Sequence, residues 1–307
     1  MTVLIAGAGG LVGSSLVNEF TKKTTEVVVG LLRKDLNLLD RASTFSYIEK
    51  LKPRIVIDAA AKVGGIGANN LYPVQFLSEN LQIQTNLIDA CHAASVEKVV
   101  FLGSSCIYPR DCKQPIREDY ILTGPLEPTN SAYALAKISG LELIKSYRKQ
   151  FKHKWITVMP TNLYGPNDNF DLDNSHVLPA LIRKFVDATH MDMKAVTLWG
   201  TGSAIREFLY VEDLAHAIMF CTENYDSDDH INIGTGKGIS IRELAGKIAE
   251  ITGFNGEIVW DKSKPDGMPV KVLDVERINR LGWKSTISFE DGLKKTINWY
   301  KENHQNG

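Results

Sequence analysis

The sequence predicts an α/β fold: a doubly wound parallel sheet joined to a smaller, interwoven C-terminal domain. Two observations carry that prediction. Short runs in the first half are apolar throughout rather than alternating, which suits parallel strands covered on both faces by helices. Those runs alternate with longer stretches of helical periodicity, and a βαβα order implies right-handed crossovers.

The first run, Val3 to Ala6, leads into Gly7, Gly9, Gly10 and Gly13. Val27 to Val29, Ile55 to Ile57, Val99 to Leu102 and Ile156 to Val158 read as the next strands. Residues 76–94 and 131–150 read as helices between them. Residues 165–180 are rich in Pro, Asn and Asp, the mark of a loop, and then enter a helix. Arg206 to Cys221 reads as a strand followed by a helix, His230 to Gly234 as a strand, and Ser240 to Thr252 as an amphipathic helix. Ser288 to Asp291 has the pattern of a capping box opening the last helix.

Composition excludes several function classes. The 35 basic and 36 acidic residues nearly cancel, so the nucleic-acid partner that a basic face would imply is not expected. No apolar run approaches the ~20 residues of a membrane span. The start, MTVLIAGAGG, lacks a cationic leader, so a cytoplasmic protein is expected. Cys91, Cys106, Cys112 and Cys221 form no CxxC pair and no zinc-like spacing, so no metal is expected, and Cys91, Cys112 and Cys221 are expected to be plain reduced thiols, with Cys106 set apart.

Gly7, Gly10 and Gly13 sit between a strand and a helix in a GxxGxxG spacing. Missing Cβ atoms let the backbone approach a pyrophosphate, and the helix N-terminus offers free N–H groups. A bare turn is the alternative, but the flanking strand and helix favour a dinucleotide site. The second strand ends in Leu32-Arg33-Lys34-Asp35. Arg33 and Lys34 suit a 2′-phosphate, favouring NADP, while Asp35 keeps NAD open. The domain expectation is residues 1–165 for the dinucleotide, with 206–234 returning to that unit. Residues 166–205 and 235–307 would then bind substrate.

Tyr133 and Lys137 stand at i and i+4, on one helix face. A nearby ammonium favours a phenolate, which would draw the tyrosine pKa down from ~10. Ser104 follows the strand Val99–Leu102, and ligands of open α/β sheets bind at such strand ends. Together with the glycine loop, these residues make a proton-donating hydride-transfer site a better reading than a surface Tyr/Lys pair.

On Gly7, Gly10, Gly13, Ser104, Tyr133 and Lys137 the chain resembles the extended short-chain dehydrogenase/reductases, which have a Rossmann-like fold. Longer strings narrow the resemblance to GDP-4-keto-6-deoxy-D-mannose 3,5-epimerase–4-reductases. They are AAAKVGGI at 59–66, ANN at 68–70, FLGSSCIYP at 101–109, LEPTN at 126–130 and MPTNLYGP at 159–166. NSHV at 174–177, REF at 206–208 and KPDG at 264–267 complete the set.

The resemblance implies a GDP-sugar substrate, NADPH as reductant and a homodimer built through a four-helix interface. It implies Tyr133 as proton donor, Lys137 as ribose ligand and Ser104 as the residue orienting substrate. It implies Cys106 and His176 as the base and acid that move protons beside the keto group. Asn162 and His176 would also line the cofactor. Lys184, Trp199, Arg206 and Lys271 would hold the substrate, with Asp266 nearby. Two departures stand out: relatives often carry Arg at the position of Gly9 and at that of Lys184. A 4-epimerase or 4,6-dehydratase of the same fold, and a dinucleotide-sensing regulator, are the alternatives. The Ser104-Ser105-Cys106 run and the retained Tyr133 and Lys137 argue against them.

Overall fold

The computed structural model describes residues 1–172, 174–264 and 266–304. Pro265, within the 264–267 string, lies outside them. The chain begins β1 (Thr2–Ala6), α1 (Leu11–Lys23), β2 (Val27–Leu31), α2 (Arg41–Leu51) and β3 (Ile55–Asp58). It continues α3 (Ile66–Leu71), α4 (Pro73–Ala93), β4 (Lys98–Leu102), α5 (Ser131–Phe151) and β5 (Ile156–Pro160). Then come β6 (Asn162–Tyr164), α6 (Val177–His190), β7 (Ala195–Trp199), β8 (Ile205–Tyr210), α7 (Val211–Asn224) and β9 (Ile231–Ile233). The last elements are β10 (Gly238–Ser240), α8 (Ile241–Thr252), β11 (Glu257–Asp261), β12 (Val270–Lys271), α9 (Glu276–Leu281) and α10 (Phe289–His304).

The main sheet has strand order β2-β1-β3-β4-β5-β9, with all neighbours parallel. Each strand serves two cores, as the continuous apolar runs require. In β1, Val3 and Ile5 face Leu16 and Phe20 of α1 and Leu214 and Ile218 of α7. Leu4 and Ala6 face Ile48 of α2, Leu87 and Ile88 of α4 and Ile144 of α5. The chain reverses direction across the sheet between β1 and β3. That switch point opens a crevice at the strands' carboxyl ends, where such folds bind ligands.

A second sheet, β10-β8-β12 with β6 beside β8, and a β7–β11 pair form the smaller unit around α6, α8 and α10. Of the segment 206–234, β9 joins the main sheet and α7 packs on α1, whereas Ile205–Tyr210 lies in the second sheet. The capping pattern before α10 forms: the Asp291 N–H donates to Ser288 Oγ at 3.1 Å.

Glu207 on β8 ties the units together and is fully buried. Its Oε1 accepts from the N–H groups of Thr235 and Gly236 at 2.5 and 2.8 Å, and Oε2 from that of Leu273 at 2.7 Å. Glu207→Ala would leave three backbone donors without an acceptor. We expect a loss of about 3 kcal/mol or more of folding stability, measured by urea denaturation.

Candidate active site

The glycine loop is shaped by steric necessity. Gly7 has φ +80, and a Cβ there would lie 2.7 Å from Ala59 O. The N–H groups of Gly7 and Ala8 both donate to Leu31 O at 3.1 Å, fixing the loop over β2. Gly10 is the N-cap of α1 and, having no side chain, makes no cap bond. Amides of the first turn thus remain for an anion, so the loop fits a dinucleotide pyrophosphate. A Cβ on Gly13 would sit 2.1 Å from Gly7 O and 2.6 Å from Gly7 C, both rigid backbone atoms. Gly13→Ala is therefore expected to weaken dinucleotide binding about 100-fold, or about 2.7 kcal/mol, in a fluorescence titration.

At the end of β2 the Leu32 N–H donates to Asp35 Oδ2 at 3.2 Å. Asp35 thus closes its own turn, and Arg33 and Lys34 stand exposed. That arrangement offers cations rather than an acid to the ribose end of a dinucleotide.

Tyr133 and Lys137 lie one turn apart on α5, facing the end of β4. Lys137 is buried; its Nζ donates to Leu102 O at 2.8 Å and lies 4.7 Å from the Phe101 ring centroid. Burial lowers its pKa to about 8, against an opposing pull from Asp58. Asp58, the last residue of β3, is fully buried and pairs in register with Phe101. Its Oδ1 accepts from the Ala60 N–H at 3.2 Å, and Oδ2 has no hydrogen-bond partner. Burial raises its pKa to about 6, with Lys137 pulling the other way. Sequence reading missed Asp58; the available signal was an acid closing an otherwise apolar strand.

The expectation of a lowered tyrosine pKa needs correction. Tyr133 is pushed well above its usual value, first by burial and then by charge on Cys106, with a Ser104 hydrogen bond opposing. The Lys137 ammonium is engaged by Leu102 O. Tyr133 therefore stands as a protonated acid, the form needed to donate to a carbonyl oxygen.

Ser104 precedes a short 3₁₀ turn, Ser105–Ile107, and its Oγ accepts from the Cys106 N–H at 3.3 Å. The Cys106 sulfur accepts from Asn130 Nδ2 at 3.4 Å and from Lys271 Nζ at 3.6 Å. Lys271 reaches it from β12, where it pairs with Arg206 of β8. His176 occupies the N-cap position of α6, with no side-chain cap bond, and keeps solvent access at its surface. Surrounding protein, and then Lys271, hold its pKa below the ordinary value. Structure thus gathers Ser104, Tyr133, Lys137, Cys106 and Lys271, with His176 within electrostatic reach.

The other sequence candidates spread outward from this group. Asn162 Nδ2 donates to Glu207 O at 2.7 Å, and Lys184 Nζ to Thr197 O at 3.1 Å. Trp199 is 67% exposed, with Lys264 Nζ 5.5 Å from its ring centroid. Arg206 donates to Ile205 O at 2.8 Å. Asp266 accepts from the Thr201 N–H and hydroxyl at 2.7 and 2.8 Å. Away from the pocket, Glu19, Glu212 and His216 cluster on α1 and α7, but Lys22 and Lys23 already neutralise Glu19. All four cysteines are free, and among the described residues no helix is long and apolar enough to cross a membrane.

The profile of the NAD dependent epimerase/dehydratase family matches residues 3–234. The chain belongs to this family. Within it, the chain is 48% identical over 303 residues to a putative GDP-L-fucose synthase 2 of Arabidopsis thaliana, covering 98% of this chain and 92% of the relative. It is 46% identical over 310 residues to the GDP-L-fucose synthase of Escherichia coli K12, covering 98% and 97%. The solved structure of a GDP-L-fucose synthetase from Naegleria fowleri bound to NADP superposes with a TM-score of 0.92 at 30% identity, covering 100% and 95%. This epimerase/dehydratase fold therefore extends over the whole chain, including the part beyond the profile.

Proposed function

We propose that this chain converts GDP-4-keto-6-deoxy-D-mannose to GDP-L-fucose, by epimerisation at C3 and C5 and then reduction at C4 with NADPH. The observation that carries the reading is Cys106, two residues after Ser104 and close enough to Tyr133 for its charge to act on the phenol, with Lys137 bound to Leu102 O just before Ser104. A hydride-transfer site needs Ser104, Tyr133 and Lys137. The added thiol supplies a proton-transfer group that simple reduction does not require. The names of the relatives support the same substrate.

NADPH, when bound, supplies the hydride for C4. Gly7, Gly10 and Gly13 would cradle its pyrophosphate, and Arg33 would meet its 2′-phosphate. Lys137, Asn162 and His176 would line its nicotinamide half. Cys106 and His176 exchange protons at the carbons beside the keto group, where the carbonyl makes C–H acidic. Ser104 and Tyr133 hold the C4 oxygen while it carries negative charge. Tyr133 then gives its proton to that oxygen. Lys184, Trp199, Arg206 and Lys271 would grip the GDP-sugar.

The protein would act as a cytoplasmic homodimer. Four free thiols suit a reducing compartment. Exposed Val74 on α4 and Leu135 on α5, two helices that pack side by side, offer apolar surface for a second copy. Absorbance-monitored oxidation of NADPH and NADH on addition of the 4-keto sugar nucleotide tests the activity. Faster oxidation of NADPH is expected. No oxidation of either would return the chain to a binding role.

A further inference from the structure

Two features around Cys106 go beyond its role as a base. Asn130 occupies the N-cap position of α5 but makes no side-chain cap bond. A capping asparagine is worth about 1 kcal/mol to a helix, so its absence here is a local sacrifice. The amide instead points its Nδ2 at the Cys106 sulfur, at 3.4 Å, and its buried Oδ1 has no hydrogen-bond partner. From the smaller unit, Lys271 brings Nζ to 3.6 Å from the same sulfur. Two N–H donors from distant segments, one of them cationic, thus converge on one atom. A neutral thiol is a weak acceptor with little use for them. A sulfur carrying negative charge makes charge-assisted bonds with both.

We propose that Asn130 and Lys271 form a sulfur cradle that orients Cys106 and stabilises charge on it during proton transfer beside the substrate carbonyl. The proposal rests on the epimerase reading of Cys106. In the step it serves, the C–H bond next to the ketone breaks and its proton forms an S–H bond. The electron pair passes to the C4 oxygen as an enolate. Carbon is reprotonated on the other face by His176, which recovers a proton from solvent as the thiol gives its own up. Asn130 and Lys271 act through Cys106 and are positioning residues. Besides Asn130, the titratable groups that face the sulfur are Tyr133 from α5 and Lys271 from β12. Lys271 also acts on His176 and Cys112. Charge on Cys106 in turn favours the protonated form of Tyr133, so the phenol keeps its proton until reduction.

The test uses the intact protein without substrate. Iodoacetamide is added at neutral pH, and modification is read at the Cys106 peptide by mass spectrometry. Because a thiolate is the reactive form, Lys271→Met is expected to slow alkylation about tenfold, with Lys271→Arg restoring most of the rate. Asn130→Asp, which replaces a donor by an acceptor of equal size, is expected to slow it similarly. Urea denaturation confirms that each variant is folded. With substrate, Lys271→Met is expected to lower kcat for C3 and C5 exchange. Unchanged alkylation in both Lys271→Met and Asn130→Asp overturns the cradle. So does unchanged alkylation with a rise in KM alone, which would assign Lys271 to the substrate phosphates. Slowed alkylation in a protein whose wild type does not exchange C3 and C5 protons would support the cradle and defeat the functional reading instead.

Discussion

Tyr133→Phe is expected to lower NADPH-dependent reduction by about 10³-fold, the scale of a lost general acid. Ring packing against Phe76, edge-on at 6.3 Å, survives this substitution, so stability and cofactor affinity change little. The missing hydroxyl leaves the C4 oxygen without its proton source as hydride arrives. Ser104 cannot replace it, because a hydroxyl of ordinary acidity would have to end as an alkoxide. Cys106 and His176 are untouched, so deuterium exchange at C3 and C5 persists, slowed only by the loss of one donor to the enolate oxygen. Stopped-flow NADPH oxidation and deuterium wash-in, measured on the same preparation, separate the two steps. A reduction rate within a few-fold of wild type would remove Tyr133 from its role.

Cys106→Ser has the second large effect, in the opposite half-reaction. Serine keeps the shape but is far too weak an acid to exist as the anion that a base requires at neutral pH. Exchange at C3 and C5 is expected to fall by about 10³-fold, while NADPH binds as before. The glycine loop lies on β1 and α1 and does not depend on the sulfur. Titration of NADPH by fluorescence checks the cofactor, and NMR of the sugar protons in D₂O checks exchange. Normal exchange in this variant would count decisively against Cys106.

Much of the fold was legible because parallel strands buried on both faces leave a plain mark. Val3 to Ala6 and Val99 to Leu102 are apolar at every position, and both fall in the main sheet. The second sheet left almost none. β12 has two residues and β10 has three, too few for any periodicity, and both form because β8 pairs with them. Arg206 to Tyr210 read as sheet material, but nothing local said which sheet. The strand's partners are β6, β10 and β12, and the Glu207 carboxylate binds backbone from two distant segments.

The site was legible where motifs mark backbone geometry, as at Gly7 and Gly13, and where a helix repeat aligns Tyr133 with Lys137. What the sequence could not show is tertiary. Asp58 matters because α5 lays a buried ammonium beside it. Lys271, expected at the substrate, also reaches the Cys106 sulfur because β12 runs alongside β8. The tyrosine pKa went the other way for the same kind of reason: burial, and then charge on Cys106, raise it, while the Lys137 ammonium turns to Leu102 O.

The central claim joins two reactions in one pocket, and product identification tests it most directly. GDP-4-keto-6-deoxy-D-mannose would be turned over with NADPH in D₂O and the product examined by NMR. GDP-L-fucose carrying deuterium at C3 and C5 and hydrogen from NADPH at C4 is the predicted result. A product reduced at C4 with C3 and C5 unexchanged and uninverted would contradict the account.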